Sequence, residues 1–179
     1  MPSGRTHDFI TIVTGAVAAP VVLSSALPDI NPTNAMVLLG AYLVSGLLFS
    51  PDLDLKSAPY KRWRALRFMW IPYQHFVPHR SWISHGMLFG PVLRVIYFTL
   101  VMSLLAFLVL AGINALVPVD PTNTMLNVAT NIREWLEAHP VVIGYAVAGF
   151  MLGGAAHSLA DIVWSWIKRK TGRAFRTRF

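Results

Sequence analysis

The sequence has no cysteine, which excludes a disulfide framework and a thiolate-ligated zinc site. Any metal bound here needs nitrogen and oxygen donors. Charge is scarce too: charged residues make up 13% of the chain against 55% hydrophobic ones, a balance too apolar for an ordinary soluble domain. Acids are the rarest charged class, 8 against 15 lysines and arginines, giving a formal net charge of +7. At 179 residues the chain has room for one domain, read here as a single membrane domain over 1–179.

What the sequence does contain is long apolar runs. Four approach the roughly 20 helical residues needed to cross a hydrocarbon core. The predicted spans are 9–27, 35–51, 87–117 and 141–167. The second reaches spanning length only with its flanks, and the third exceeds one span, so it tilts or begins along the interface. Glycines such as Gly46, Gly149 and Gly153 suit close helix approach without a hydrophobic driving force. The expected fold is all-α: a polytopic membrane four-helix bundle. Arg5, the first apolar run and Ser24-Ser25-Ala26 also imitate a cleavable signal peptide. His7 and Asp8 fit its n-region poorly, and losing the first span would place the two basic segments on opposite sides.

Orientation follows from where the cations fall. The loop 52–86 carries Lys56, Lys61, Arg62, Arg64, Arg67 and Arg80, the tail 168–179 carries another cluster, and the connection 118–140 has only Arg133. Both termini and the basic loop are therefore predicted to be cytoplasmic, in a bacterial inner or internal membrane, and topology accounts for most of the basic balance. Within the loop, Tyr60 to Ile71 puts Trp63, Leu66, Met69 and Trp70 on one side of a helical wheel and Lys61, Arg64 and Arg67 on the other. That pattern predicts a cytoplasmic amphipathic helix lying in the interface among anionic headgroups. A weaker stripe, Leu126, Ala129, Ile132 and Leu136, fits the opposite surface. No segment reads as a groove-reading helix or aromatic platform, so nucleic acid is not an expected partner. Membrane lipid is one, while oligomeric state leaves no signature.

The few polar residues are concentrated. Most of the acids and histidines fall in four short clusters: Thr6-His7-Asp8, Ser50-Pro51-Asp52-Leu53-Asp54, His79-Arg80-Ser81 with Ser84-His85, and His157-Ser158-Leu159-Ala160-Asp161. The predicted topology brings all four to one membrane face. His157 and Asp161 are i and i+4 on a spanning helix and project from one side of it. Ionisable groups at that depth need a partner, and mark a functional site by default. The bland alternative is a His–Asp hydrogen bond that ties helices together. Imidazole with carboxylate suits Mn²⁺, Fe²⁺ or Zn²⁺, with Mg²⁺ on the aspartates as a further option. His7, Asp8, Asp52, His79, His85, His157 and Asp161 are the candidate ligands, enough for one or two ions. Asp54 is a candidate outer partner or general base, and Arg80 a candidate fork for an anionic substrate. Arg94, inside the third span, has two readings, snorkelling or pairing with Asp161. His75 and His139 stand outside the clusters.

Gly4-Arg5-Thr6-His7-Asp8, Ser50-Pro51-Asp52-Leu53-Asp54, His79-Arg80-Ser81 with Ser84-His85, and Gly154-Ala155-Ala156-His157-Ser158-Leu159-Ala160-Asp161 occur in that order. As an ordered set they resemble an uncharacterised bacterial membrane metal-binding family common in cyanobacteria, similar to the membrane-bound metal-dependent hydrolases of the LexA-regulated type. The resemblance implies a metal-dependent hydrolase. The expected function is hydrolysis, at the cytoplasmic face, of a phosphoester or other anionic substrate, small or lipid-linked. A non-catalytic metal-binding protein with a structural or assembly role is the alternative. His157 and Asp161 also match half of the metal-free phosphatidic acid phosphatase pattern, but no Lys-x₆-Arg-Pro occurs. Transport is disfavoured, because no ionisable residue marks the outer half of any predicted span.

Overall fold

Helix signals set the architecture of the computed structural model, which describes residues 4–24, 30–78, 81, 86 and 89–176, with side chains through residue 171. Helix α1 runs Gly4–Leu23, so it starts before the expected residue 9 and carries His7 and Asp8 within its first turns. Helix α2, Pro32–Leu47, is capped by Asn31, whose side chain accepts from Asn34 N, with Pro32 preset at the first position. A 3₁₀ turn, Pro51–Asp54, follows. The basic segment then forms α3, Ala58–Arg62, a 3₁₀ stretch, Arg64–Trp70, and α4, Ile71–Phe76. Helix α5 spans Phe89–Asn114. Helix α6, Pro121–Ala138, is capped by Asp120 accepting from Thr122 N and Asn123 N, and α7 runs Pro140–Arg176. No strand occurs among the described residues.

Four helical stretches, α1, α2 with its 3₁₀ turn, α5 and α7, are long and apolar enough to cross a membrane. With 37 residues, α7 is about 55 Å long at 1.5 Å per residue, well beyond a 30 Å hydrocarbon core. The helix therefore continues through the basic tail, where Lys170 lies 4.1 Å over the Trp166 ring. The connection 118–140 contains α6, whose Leu126, Ile132 and Leu136 are all exposed.

The tightest packing is α7 on α2. Added side chains at Gly149 and Gly153 would run into the backbone at Leu38 and Tyr42, so only glycine permits that approach. At one end of the bundle an aromatic cluster forms the densest core: Phe49, Trp63, Trp70, Tyr73, Tyr97, Phe98 and Phe150. This cluster explains why the continuous interfacial helix predicted over 60–71 does not form. Trp70 is 0% exposed and Tyr73 2%, so these rings turn into the protein and the chain must bend to follow them. Arg64, at φ 47°, makes one bend, a conformation that costs a non-glycine residue roughly 1–2 kcal/mol and is outweighed by the burial it permits. Leu66 is left exposed at 45%.

The bend also seals the end of α2. Arg62 Nη1 donates to Leu47 O at 2.7 Å and Trp63 Nε1 to Leu48 O at 3.1 Å, satisfying carbonyls that a helix C-terminus leaves orphaned. Gln74 Nε2 donates to Leu53 O and Leu55 O, and Ser57 Oγ to Asp52 O. The turn bearing the aspartate pair is thus clamped from both sides.

Candidate metal centre

Helix α1 buries His7, Thr11 and Gly15, a stripe at i, i+4 and i+8 that faces the bundle. Helix α7 presents His157 and Asp161 from one side, and the 3₁₀ turn delivers Asp52 between them. His7 Nε2 lies 3.1 Å from Asp161 Oδ1, and His157 Nε2 lies 3.6 Å from Asp52 Oδ2 and 3.9 Å from Asp161 Oδ2. The two imidazoles stack at 3.8 Å with 17° between their planes. One donor atom each from His7, Asp52 and His157 lies within 4.8 Å of the others.

These residues fit a metal ion. His7 Nδ1 and both ring nitrogens of His157 are buried without a hydrogen bond from any described residue, and each such group costs about 1–3 kcal/mol if left so. Two imidazoles and two carboxylates, one from each of four positions, make a nitrogen–oxygen donor set suited to Zn²⁺, Mn²⁺ or Fe²⁺. Donors of a tetrahedral ion at about 2.1 Å lie roughly 3.4 Å apart. The widest spacing here, up to 4.8 Å, therefore requires the side chains to close by about 1 Å.

The remaining predicted site residues lie elsewhere. Asp8 neighbours His7 in sequence, but adjacent helical residues point about 100° apart, and Asp8 is ion-paired to Arg62. Asp54 is two residues beyond Asp52 on a 3₁₀ turn, where each residue advances about a third of a turn. It is buried at 4% exposure, in electrostatic range of Tyr73 and Arg94. His79, Arg80 and His85 lie outside the described residues. His75 meets Phe76 edge-on, and His139 stacks on Trp135 with Nδ1 2.8 Å from Trp135 O.

Sequence reasoning missed what surrounds Asp54. Arg94 is fully buried and interacts with Tyr73, Asp54 and Asp52, where the sequence offered snorkelling or Asp161. A single arginine in an apolar span signals a buried partner but not its identity. Burial raises the Tyr73 phenol above its ordinary pKa, with Arg94 pulling it down. Ser57 suits a helix start in the sequence and does precede α3, but its hold on the Asp52 turn, like that of Gln74, carries no sequence signal.

Residues 2–171 match the profile of a family described as uncharacterised metal-binding protein, DUF2227. The chain belongs to this family. The matched region runs from α1 into α7 and contains all four clustered donors. An uncharacterised protein of Aquifex aeolicus (strain VF5) is 40% identical over 57 residues, covering 31% of this chain and 40% of that protein. The alignment thus spans about two fifths of the relative's length. No solved structure matches the chain.

Proposed function

We propose that this metal-binding protein crosses a bacterial membrane four times, with both termini and the metal centre at the cytoplasmic face, and is a metal-dependent hydrolase of a phosphoester or other anionic substrate. The observation that carries this reading is the convergence of His7, Asp52, His157 and Asp161 from three separate segments at one end of apolar helices. The excess of cations in the loop 52–86 and the tail supports the orientation. The likeness of the four motifs to the LexA-regulated membrane hydrolases supports the reaction class.

A bound divalent ion supplies Lewis acidity toward an ester oxygen and toward water. The chain's residues provide the rest. The Asp52 and Asp161 side chains keep 17% and 12% exposure, leaving one edge of an otherwise buried cluster reachable. Arg80, beside His79 in sequence, provides a fork for the anionic group, and Asp54 with Arg94 holds the Asp52 turn in place. In hydrolysis, water adds its hydroxyl to phosphorus, the ester P–O bond breaks, and the proton goes to the leaving oxygen. The described donors serve one ion. A second would draw on His79 and His85.

One observation favours a structural role instead. The His157 side chain is 1% exposed, as expected of a metal staple joining α1, the 3₁₀ turn and α7. Assaying the metal-loaded protein and a His157→Ala variant on phosphate mono- and diesters separates the two readings. Turnover that needs both metal and His157 supports hydrolysis. Stoichiometric metal with no turnover on any ester, together with loss of thermal stability in the variant, identifies a staple.

A further inference from the structure

Beside the metal centre a groove of about 370 Å³ runs between α1 and α7. Its floor and walls are Ile10, Thr14, Ala156, Leu159 and Val163, and its upper rim holds Thr6 and Ala160, the chain neighbours of His7 and Asp161. Through Thr14, Ala156 and Leu159 it continues into a second groove of about 320 Å³ that reaches Val22 and Leu152. At the other end Trp164 and Ile167 are shared with a recess of about 290 Å³ that contains Lys168. Measured from the rim beside the metal centre, the combined channel follows about 24 Å of α1, from Thr6 to Val22, at 1.5 Å per residue, the scale of a long extended acyl chain.

The channel is graded along its length. Lys168 stands at the end nearest the basic tail, Thr6 and Ala160 line the stretch beside His7 and Asp161, and apolar side chains with the Thr14 and Tyr42 hydroxyls line the deeper part. That is the polarity of a lipid, with a charged headgroup and one hydrocarbon chain. The small side chains at Ala156 and Ala160 create the space, since larger ones there would fill it. A groove of similar size between α5 and α7, about 310 Å³ and lined by Pro91, Val95, Val147 and Phe150 among others, has no ionisable residue in its lining. Apolar space alone therefore does not distinguish the α1–α7 channel; its charged end does.

We infer that the substrate is a lipid carrying a phosphate headgroup, whose acyl or alkyl chain lies in the α1–α7 groove so that the phosphate reaches the metal centre from the side of Thr6 and Ala160. This rests on the hydrolase reading above and specifies its substrate class. Lateral entry also reconciles a buried centre with a reachable one, since a lipid approaches through the hydrocarbon layer.

The test measures binding, not turnover. Full-length zinc-loaded protein in dodecyl maltoside is titrated with hexadecyl phosphate, butyl phosphate and hexadecanol, with bound ligand counted by native mass spectrometry and metal content followed alongside. One hexadecyl phosphate per chain is expected, bound at least tenfold tighter than either of the others. Ala156→Leu should weaken it about tenfold at unchanged metal content, and Val147→Phe, in the other groove, should leave it unaltered. Equal affinity for hexadecanol and hexadecyl phosphate, or an Ala156→Leu variant that binds as well as the parent, overturns the inference. Failure of the two readings is distinguishable. Groove-dependent lipid binding without hydrolysis of any ester sinks only the hydrolase. Hydrolysis of soluble phosphoesters with no gain from a long chain sinks only the groove.

Discussion

At the scale of single residues, the site separates neighbours that look equivalent in sequence. Asp52 approaches His157 at 3.6 Å, while Asp54 belongs with Arg94 and Tyr73; His7 faces α7, while Asp8 pairs with Arg62. Asp52→Asn should therefore abolish metal binding. Asp8→Asn should leave metal content intact and cost at most about 1 kcal/mol, because its pair with Arg62 is partly exposed. Metal analysis and thermal melts of both variants check this. Tyr73 yields a pH prediction. Its folded-state pKa is raised above the unfolded value near 10, so the neutral phenol contributes stability that is complete below that pH and is lost as pH rises toward and through the folded value. Tyr73→Phe should make the alkaline loss of stability shallower, as read from melting temperature against pH. Three of the four clusters expected at one face, those of His7, Asp52 and His157, do come together, because the i, i+4 geometry of His157 and Asp161 and the placement of Asp52 after a span are local properties. The sequence did not show which member of Asp52/Asp54 or His7/Asp8 turns inward, since that depends on the partners Arg62 and Arg94, which come from distant segments.

At the scale of elements, the long apolar helices were legible from length and hydropathy alone, and only their ends shifted: α1 begins at Gly4 and α7 runs through the basic tail. The segment 58–76 was not legible. Its wheel pattern fits a surface helix, yet Trp70 and Tyr73 lie in the aromatic cluster with Phe49, Phe98 and Phe150, and periodicity carries no information about that long-range packing. Trp70→Ala should accordingly cost about 3–5 kcal/mol, far more than loss of an interfacial anchor, and should lower metal affinity by loosening the turn that Gln74 and Ser57 hold. The α2–α7 contact gives a second test. Gly153→Leu forces α7 away from Tyr42 and Ser45 and should destabilise the protein by about 1–3 kcal/mol through overpacking. Thermal unfolding in detergent measures both.

At the scale of the whole molecule, the fold concentrates its chemistry at one end. The candidate metal ligands and the aromatic core gather where α2 ends and α7 continues into basic residues, while α6 connects α5 and α7 with no buried residue of its own. The proposed topology makes these opposite faces. Because the chain has no cysteine, single cysteines can report it directly: Lys170→Cys should be labelled by an impermeant maleimide only after the cytoplasmic side is exposed, and Asn127→Cys without that treatment. The reverse pattern would contradict the orientation. The central claim, that these helix ends are assembled around a metal ion, is tested most directly by metal analysis of the detergent-purified protein beside a His157→Ala, Asp161→Ala variant, with folding followed in both. The account predicts one or two divalent ions per chain in the parent and none in a variant that still inserts and folds. A folded parent that holds no metal, even after incubation with Zn²⁺ or Mn²⁺, would contradict it.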